Sequence, residues 1–145
     1  MMSNKTALVI EDTDANRIFF ERLLTQAGFQ VRGARCGAEA LAEMKAIDDL
    51  ALAVIDMEVP DMNGLDLTTH LRNRYPDACL VVATMHDEVS LMSSAFSRGC
   101  DVFMVKPHGF MELFKRLTTT GSGGLHACRP LVMDQFGPRE FKLAY

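Results

Sequence analysis

The chain has 145 residues, about the length of one domain, and its 48% hydrophobic and 23% charged residues are typical of a globular protein. The formal net charge of −4 argues against a protein that binds nucleic acid through bulk attraction to phosphates. No apolar run approaches the ~20 residues that cross a bilayer, and nothing at the N-terminus is typical of a secretion signal. The four cysteines are widely spaced and form no CxxC pair, which indicates reduced thiols in a cytoplasm.

Short apolar segments alternate with segments of helical periodicity along most of the chain. The predicted strands are residues 7–10, 30–34, 51–55, 80–83 and 102–105. The predicted helices are residues 14–27, 37–46, 65–74, 88–97 and 110–117. Residues 51–55 are continuously apolar rather than alternating, which is typical of a strand buried on both faces, and 30–34 is a weak strand candidate. Five strand–helix units in a row therefore predict an α/β fold, with a five-stranded parallel sheet and helices on both faces.

Polar side chains stand where four of these predicted strands end. Glu11 and Asp12 follow the first strand, Asp56 the third, Thr84 the fourth and Lys106 the fifth. Ligands bind beyond the carboxyl ends of strands in such sheets, so these residues are expected to form one site. Three carboxylates repel one another unless one is protonated or a cation is shared, and oxygen ligands of this kind suit Mg²⁺. A carboxylate beside a metal ion and a lysine is a plausible nucleophile toward phosphorus.

Six segments, in this order and spacing, resemble the receiver domain of two-component response regulators, in particular the stand-alone receivers of chemotaxis. They are residues 9–12, 28–31, 37–41, 55–64, 82–84 and 101–107. The resemblance covers about residues 5–118 and implies a flavodoxin-like sheet with strand order 2-1-3-4-5. Each segment alone is weak evidence, and their order and spacing together are specific.

The resemblance implies a role for each matching residue of the site. Asp56 would accept a phosphoryl group from the phosphohistidine of a sensor histidine kinase or phosphotransfer protein. Glu11, Asp12, Asp56 and the backbone carbonyl of Glu58 would hold Mg²⁺, and Lys106 would pair with the phosphate. Catalysis would then be limited to the chain's own phosphotransfer and autodephosphorylation.

The resemblance also implies a switch. Thr84 would move to hydrogen-bond the phosphoryl oxygen, and Phe103 matches an aromatic residue that turns inward on activation. The Lys106–Pro107 bond would be cis. Each of these residues also has an ordinary explanation, since a strand threonine and a buried phenylalanine need no special role.

Three residues near the expected site depart from the family pattern or fall on its variable positions. Met85 follows Thr84 where a small residue is usual, and its bulk is expected to slow phosphorylation and dephosphorylation. Glu58 and His86 stand two residues after Asp56 and Thr84, at positions that resemble those setting the phosphate lifetime. Whether Glu58 orients or hinders the attacking water is left open by the sequence.

The C-terminal part is expected to be an extension, residues 121–145, on a receiver of residues 1–120. The glycine-rich segment 118–124 is typical of a flexible linker. Alternating apolar and polar residues in 139–145 favour a strand, and we predict a β-hairpin that turns at Gly137–Pro138. A lone hairpin is marginal in water, so it should dock on the receiver, on a second copy or on a partner.

The leading hypothesis is a cytoplasmic phosphoacceptor switch that signals through protein contacts, with no length left for an attached output domain. Its expected partners are the kinase or phosphotransfer protein and a downstream protein. A second copy could bind through the fourth helix, fifth strand and fifth helix or through the extension, and neither nucleic acid nor membrane is expected. Three alternatives stay open: a receiver-like module that is no longer phosphorylated, a phosphatase with an aspartate nucleophile, and a flavin or nucleotide carrier.

Overall fold

The structure, a computed structural model, describes residues 5–106, 109–120 and 130–141. Its strands are β1 Thr6–Ile10, β2 Gln30–Ala34, β3 Leu52–Asp56, β4 Cys79–Thr84, β5 Val102–Val105, β6 Leu131–Asp134 and β7 Gly137–Glu140. Its helices are α1 Asp14–Gln26, α2 Gly37–Ala46, α3 Gly64–Arg74, α4 Val89–Ser97 and α5 Phe110–Thr120. Every strand and helix predicted for the first five units is present, with bounds that shift by at most three residues.

The strands form one sheet in the order β2-β1-β3-β4-β5-β6-β7. The first five are parallel and confirm the predicted order. Strand β6 extends this sheet as a further parallel strand beside β5, and β7 returns antiparallel to β6. The C-terminal segment therefore docks on the sheet of the same chain.

The core lies on both faces of the sheet, because successive strand residues point to opposite sides. On one face, buried residues of α2, α3 and α4 pack on the strands, with Leu67 and Leu71 fully covered. On the other face α1 and α5 do so, through residues such as Phe20 and Leu113. The central strands are covered on both sides, which explains their continuous apolar runs.

The loop from β3 to α3 is fixed from two sides. The Asp61 carboxylate accepts hydrogen bonds from the backbone N–H groups of Gly37 (2.6 Å) and Ala38 (2.9 Å) at the start of α2. These bonds favour the ionised carboxylate and hold the pKa of Asp61 below its ordinary value. At Gly64 a Cβ atom would stand 2.7 Å from Met57 Cα, so only glycine lets α3 begin this close to the loop.

The hairpin is confirmed, but the predicted position of its turn was wrong. The turn is at Gln135–Phe136, and Gly137 and Pro138 already belong to β7. The Asp134 side chain accepts a hydrogen bond from the backbone N–H of Phe136 (2.9 Å), which favours a turn at this point. Gly137 is the first residue of β7 and has a φ of +91°, a backbone conformation that glycine adopts easily. This glycine therefore allows the chain to leave the turn and begin β7.

Two other expectations concern segments near the C-terminus. Helix α5 continues to Thr120, past the predicted start of the linker at Thr118. The rest of the linker, Cys128, and residues 142–145 of the predicted second strand lie outside the described residues. Among the described cysteines, Cys36, Cys79 and Cys100 form no disulfide bond. Within the described ranges, none of the helices combines the length and apolar character of a membrane-spanning segment.

Candidate functional site

The residues predicted from the strand ends meet at one edge of the sheet. The Lys106 ammonium lies 2.9 Å from Glu11 Oε1 and 3.7 Å from Asp56 Oδ1. Glu11, Asp12 and Asp56 each place one carboxylate oxygen within 4.8 Å of the others. Parallel strands bring this about, since β1, β3 and β5 all end at the same edge.

The charge on Asp56 is opposed by burial. Its side chain is buried, and this desolvation raises the pKa of Asp56 to about 6. A hydrogen bond from the backbone N–H of Glu58 (3.0 Å) and the charge of Lys106 favour the ionised form, while the nearby Glu11 disfavours it. Burial has the largest effect on this pKa, so any further positive charge at the site would stabilise the ionised form of Asp56.

The carboxylates fit a hard divalent cation. Glu11 and Asp56 are buried and Asp12 is exposed, so the three oxygens face a site that keeps contact with solvent. Mg²⁺ takes one or a few carboxylates and retains several waters, which matches three closely spaced oxygens beside an open cleft. The donor chemistry therefore fits the predicted Mg²⁺ ligands Glu11, Asp12 and Asp56.

Thr84 connects two loops around the site. It is fully buried at the end of β4, and its Oγ1 accepts a hydrogen bond from the backbone N–H of His86 (3.2 Å). Its carbonyl accepts a hydrogen bond from the backbone N–H of Lys106 (2.8 Å). A movement of Thr84 would therefore affect both the loop after β4 and the segment that carries Lys106.

The site residues line a cleft of about 400 Å³, together with Glu58 and Met85. Met85 is 72% exposed. His86 Nε2 lies 2.9 Å from a carboxylate oxygen of Glu58, so the two variable positions named from the sequence contact each other beside the cleft. The sequence placed both residues near the site but did not predict this pairing.

Phe103 lies on β5, two strands away from Asp56 on β3, on the face of the sheet covered by α4. It is completely buried, and its ring centroid is 6.4 Å from that of Phe96 in α4. The Phe103 side chain, which is predicted to switch, is therefore in the inward position.

The predicted cis bond between Lys106 and Pro107 lies outside the described residues, because residues 107 and 108 are not among them.

The sequence analysis missed two cleft residues, Thr13 and Asn16, which line the cleft together with Asp12. Thr13 precedes α1 and Asn16 lies in its first turn. Both could have been found from their position directly after the Glu11–Asp12 pair, between the end of β1 and the beginning of α1.

Comparison with protein families and curated proteins agrees with the geometry of this edge. The family model described as the response regulator receiver domain matches residues 7–118. Response regulator MprA of Mycobacterium ulcerans is 34% identical over 110 residues, which are 76% of this chain and 47% of that protein. A cyclic di-GMP phosphodiesterase of Thermotoga maritima is 28% identical over 131 residues, 90% of this chain and 33% of that protein. The chain thus spans half or less of the length of these relatives.

Solved structures show the same architecture. A response regulator from Burkholderia pseudomallei, determined with a phosphorylated aspartic acid, a calcium ion and citrate, has a TM-score of 0.72. It is 26% identical, and the match covers 86% of this chain and 72% of that one. A receiver domain from Methanospirillum hungatei JF-1 has a TM-score of 0.74 at 22% identity, with 84% of this chain and 97% of that chain covered.

Proposed function

Because the chain belongs to the response regulator receiver-domain family, we propose that it is a phosphoacceptor switch of a two-component system, phosphorylated on Asp56. The observation that carries this proposal is the position of Asp56 beside Lys106 and two further carboxylates, at the bottom of a cleft open to solvent. The phosphorylated aspartic acid of the Burkholderia pseudomallei relative supports it.

In the proposed reaction, a carboxylate oxygen of Asp56 bonds to phosphorus as the phosphorus–nitrogen bond of the donor's phosphohistidine breaks, and the freed imidazole keeps the bonding electron pair. Lys106 lies close enough to Asp56 to pair with the transferred group. Glu11, Asp12, Asp56 and the carbonyl of Glu58 would hold Mg²⁺, which supplies positive charge to the phosphoryl oxygens. The calcium ion in the Burkholderia pseudomallei structure supports a cation at such a site.

The proposed partners are a sensor histidine kinase or phosphotransfer protein upstream and a protein downstream. A second copy of the chain is another candidate, through the surface of α4, β5 and α5 or through the extension. In this structure β6 covers the β5 edge of the first of these surfaces. We propose a cytoplasmic location, on the ground that the four cysteines are widely spaced and form no CxxC pair. We keep the division into a receiver of residues 1–120 and an extension of residues 121–145 as part of the proposal.

The test is incubation of the full chain with Mg²⁺ and a small phosphodonor such as acetyl phosphate, followed by intact mass measurement. The expected result is the mass gain of one phosphoryl group in the wild type, lost in Asp56→Asn and on addition of a chelator. Asp66→Asn is the matched control, since Asp66 is an exposed carboxylate on α3 that pairs with Arg98 at the surface. An equal gain in Asp56→Asn would overturn the assignment.

A specific observation favours the alternative of a receiver that is no longer phosphorylated. Met85 and Glu58 line the same cleft as Asp56, and Glu58 also contacts His86, so a bulky and a charged side chain lie near the phosphoacceptor. The same experiment decides between the two functions. If the wild type gains no mass while Met85→Ala gains one phosphoryl group, the Met85 side chain blocks access to Asp56.

A further inference from the structure

The C-terminal hairpin covers the outer edge of β5. Within the parallel pair, Phe103 lies opposite Val132 and Met104 opposite Met133. All four residues of β6 are buried, whereas β7 is mostly exposed. Strand β6 is therefore part of the core, and β5 is an interior strand of this sheet.

Three aromatic rings connect β5 to the end of the hairpin. Phe103 on β5 contacts Phe96 on α4, and the Phe96 ring lies 5.1 Å from the ring of Phe141, the residue after β7. The backbone N–H of Phe141 donates to the carbonyl of Pro130 (2.8 Å), which fixes Phe141 to the beginning of β6. The hairpin thus holds α4 against β5 through Phe141.

The hairpin also reaches the segment that follows the site lysine. A Cβ atom at Gly109 would stand 2.8 Å from the carbonyl oxygen of Met133 and closer still to the Met104 side chain. Strand β6 therefore passes directly against the start of α5, three residues after Lys106. The hairpin contacts both the buried aromatic residue and the segment next to the candidate site.

We propose that the β6–β7 hairpin is an intramolecular clamp that keeps Phe103 buried whether or not Asp56 is phosphorylated, with Phe141 as the residue that closes it. An aromatic side chain on an edge strand can point under the neighbouring helix or outward past the edge. Here β6 occupies the space past the edge of β5, with Val132 opposite Phe103, so outward rotation of Phe103 requires the hairpin to leave. The statement about phosphorylated Asp56 rests on the proposed function, whereas the burial of Phe103 by the hairpin does not.

The test uses 19F NMR of the full chain labelled with 3-fluorophenylalanine, with the Phe103 signal assigned by its loss in Phe103→Leu. The difference in chemical shift between H₂O and D₂O reports the exposure of each ring. Phe141→Ala should give the Phe103 signal a solvent isotope shift or a second, exposed signal. Phe136→Ala is the control, because Phe136 lies on the same hairpin and is 79% exposed. In this control and in the wild type the Phe103 signal should remain solvent-shielded.

Addition of Mg²⁺ and beryllofluoride, a phosphoryl analogue, tests the second half of the proposal. The Phe103 signal of the wild type should stay shielded, and the amide protons of Leu131 and Phe141, which donate to Asp101 and Pro130, should exchange at unchanged rates. This measurement needs no variant, so it stands even if Phe141→Ala does not fold. Exposure of Phe103, or faster exchange at these amides, would overturn the clamp.

Failure of the proposed function gives a different result. If beryllofluoride moves no signal in the protein, Asp56 is not a phosphoacceptor, and the clamp is still decided by comparing the wild type with Phe141→Ala. A Phe103 signal that stays single and shielded in a folded Phe141→Ala variant would contradict the clamp whatever the analogue does.

Discussion

Asp56 is the residue whose environment departs most from that of an ordinary surface carboxylate. It is buried beside another buried carboxylate, Glu11, and the Lys106 ammonium lies near both. The charge of one ammonium does not balance the charges of two carboxylates. The arrangement costs stability without a cation, and it favours binding of a divalent metal ion.

The first prediction at this scale follows from the raised pKa of Asp56, about 6, against about 3.9 in an unfolded chain. Between these two values the unfolded state releases its proton first, so the contribution of Asp56 to stability falls as the pH rises and stays low above pH 7. In the presence of a chelator, Asp56→Asn should exceed the wild type in unfolding free energy by on the order of 1–3 kcal/mol at pH 7 and by little at pH 4.

Urea unfolding of both proteins between pH 4 and pH 8 measures this difference. Adding millimolar Mg²⁺ at pH 7 should raise the stability of the wild type more than that of Asp56→Asn, because a ligand of the folded state stabilises it by mass action. A difference between the two proteins that does not change with pH would contradict the proposed burial cost.

Met85 gives the second prediction at the scale of a residue. Its side chain is mostly exposed at the cleft, so it contributes little to packing and its bulk acts on access to Asp56. Met85→Ala should lower the barrier for the attacking water by about 0.5–1.4 kcal/mol and shorten the phosphate lifetime roughly two- to tenfold. Loss of radiolabel from the phosphorylated protein measures this, and Val89→Ala, also exposed and apolar, is the control. An equal lifetime in Met85→Ala and wild type would refute the role.

At the scale of the elements, the first five strands and helices could be predicted because their signals are local. The continuous apolar run of β4 and the glycine that ends α1, Gly28 with φ of +100°, are visible in the sequence. Convergence of Asp56 and Lys106 also follows, since parallel order brings strand ends together. These features depend on the residues close by in the sequence and on the rule that parallel strands end at the same edge of a sheet.

The pairing of the hairpin with β5 depends on contacts that no local pattern contains. Residues 131–134 are buried throughout, and their neighbours in space, Phe103 and Met104, lie about thirty residues earlier. The turn was misplaced because Gly137–Pro138 is a typical turn pair, whereas the Asp134 side chain fixes the turn two residues earlier, at Gln135–Phe136. The Glu58–His86 contact was missed for the same reason, since it joins two loops.

At the scale of the whole molecule, the hairpin replaces an open β5 edge by the edge of β7. The backbone N–H of Phe141 donates to the carbonyl of Pro130, so residues 130 and 141 form a hydrogen-bonded pair of the β6–β7 ladder. Hydrogen-bonded and non-hydrogen-bonded pairs alternate along an antiparallel ladder. Counting from this pair, Met133 and Pro138 form a non-hydrogen-bonded pair. The backbone nitrogen of Pro138 therefore faces the free edge, where it offers no N–H. Exposed Arg139 and Glu140 add charge beside it. Proline and charges are common ways of protecting an edge strand from pairing.

The last prediction is that this edge prevents pairing between copies of the chain through β7. Pro138→Val restores one N–H on the free edge, and a symmetric antiparallel pair of copies would gain two hydrogen bonds, about 1–3 kcal/mol in all. Self-association of this variant should therefore tighten by about tenfold or more relative to the wild type, measured by sedimentation velocity over a range of concentrations. Pro60→Val is the matched control, because Pro60 is an exposed proline in the loop after β3. If Pro138→Val and Pro60→Val sediment alike, Pro138 does not protect the edge, and the charges of Arg139 and Glu140 suffice.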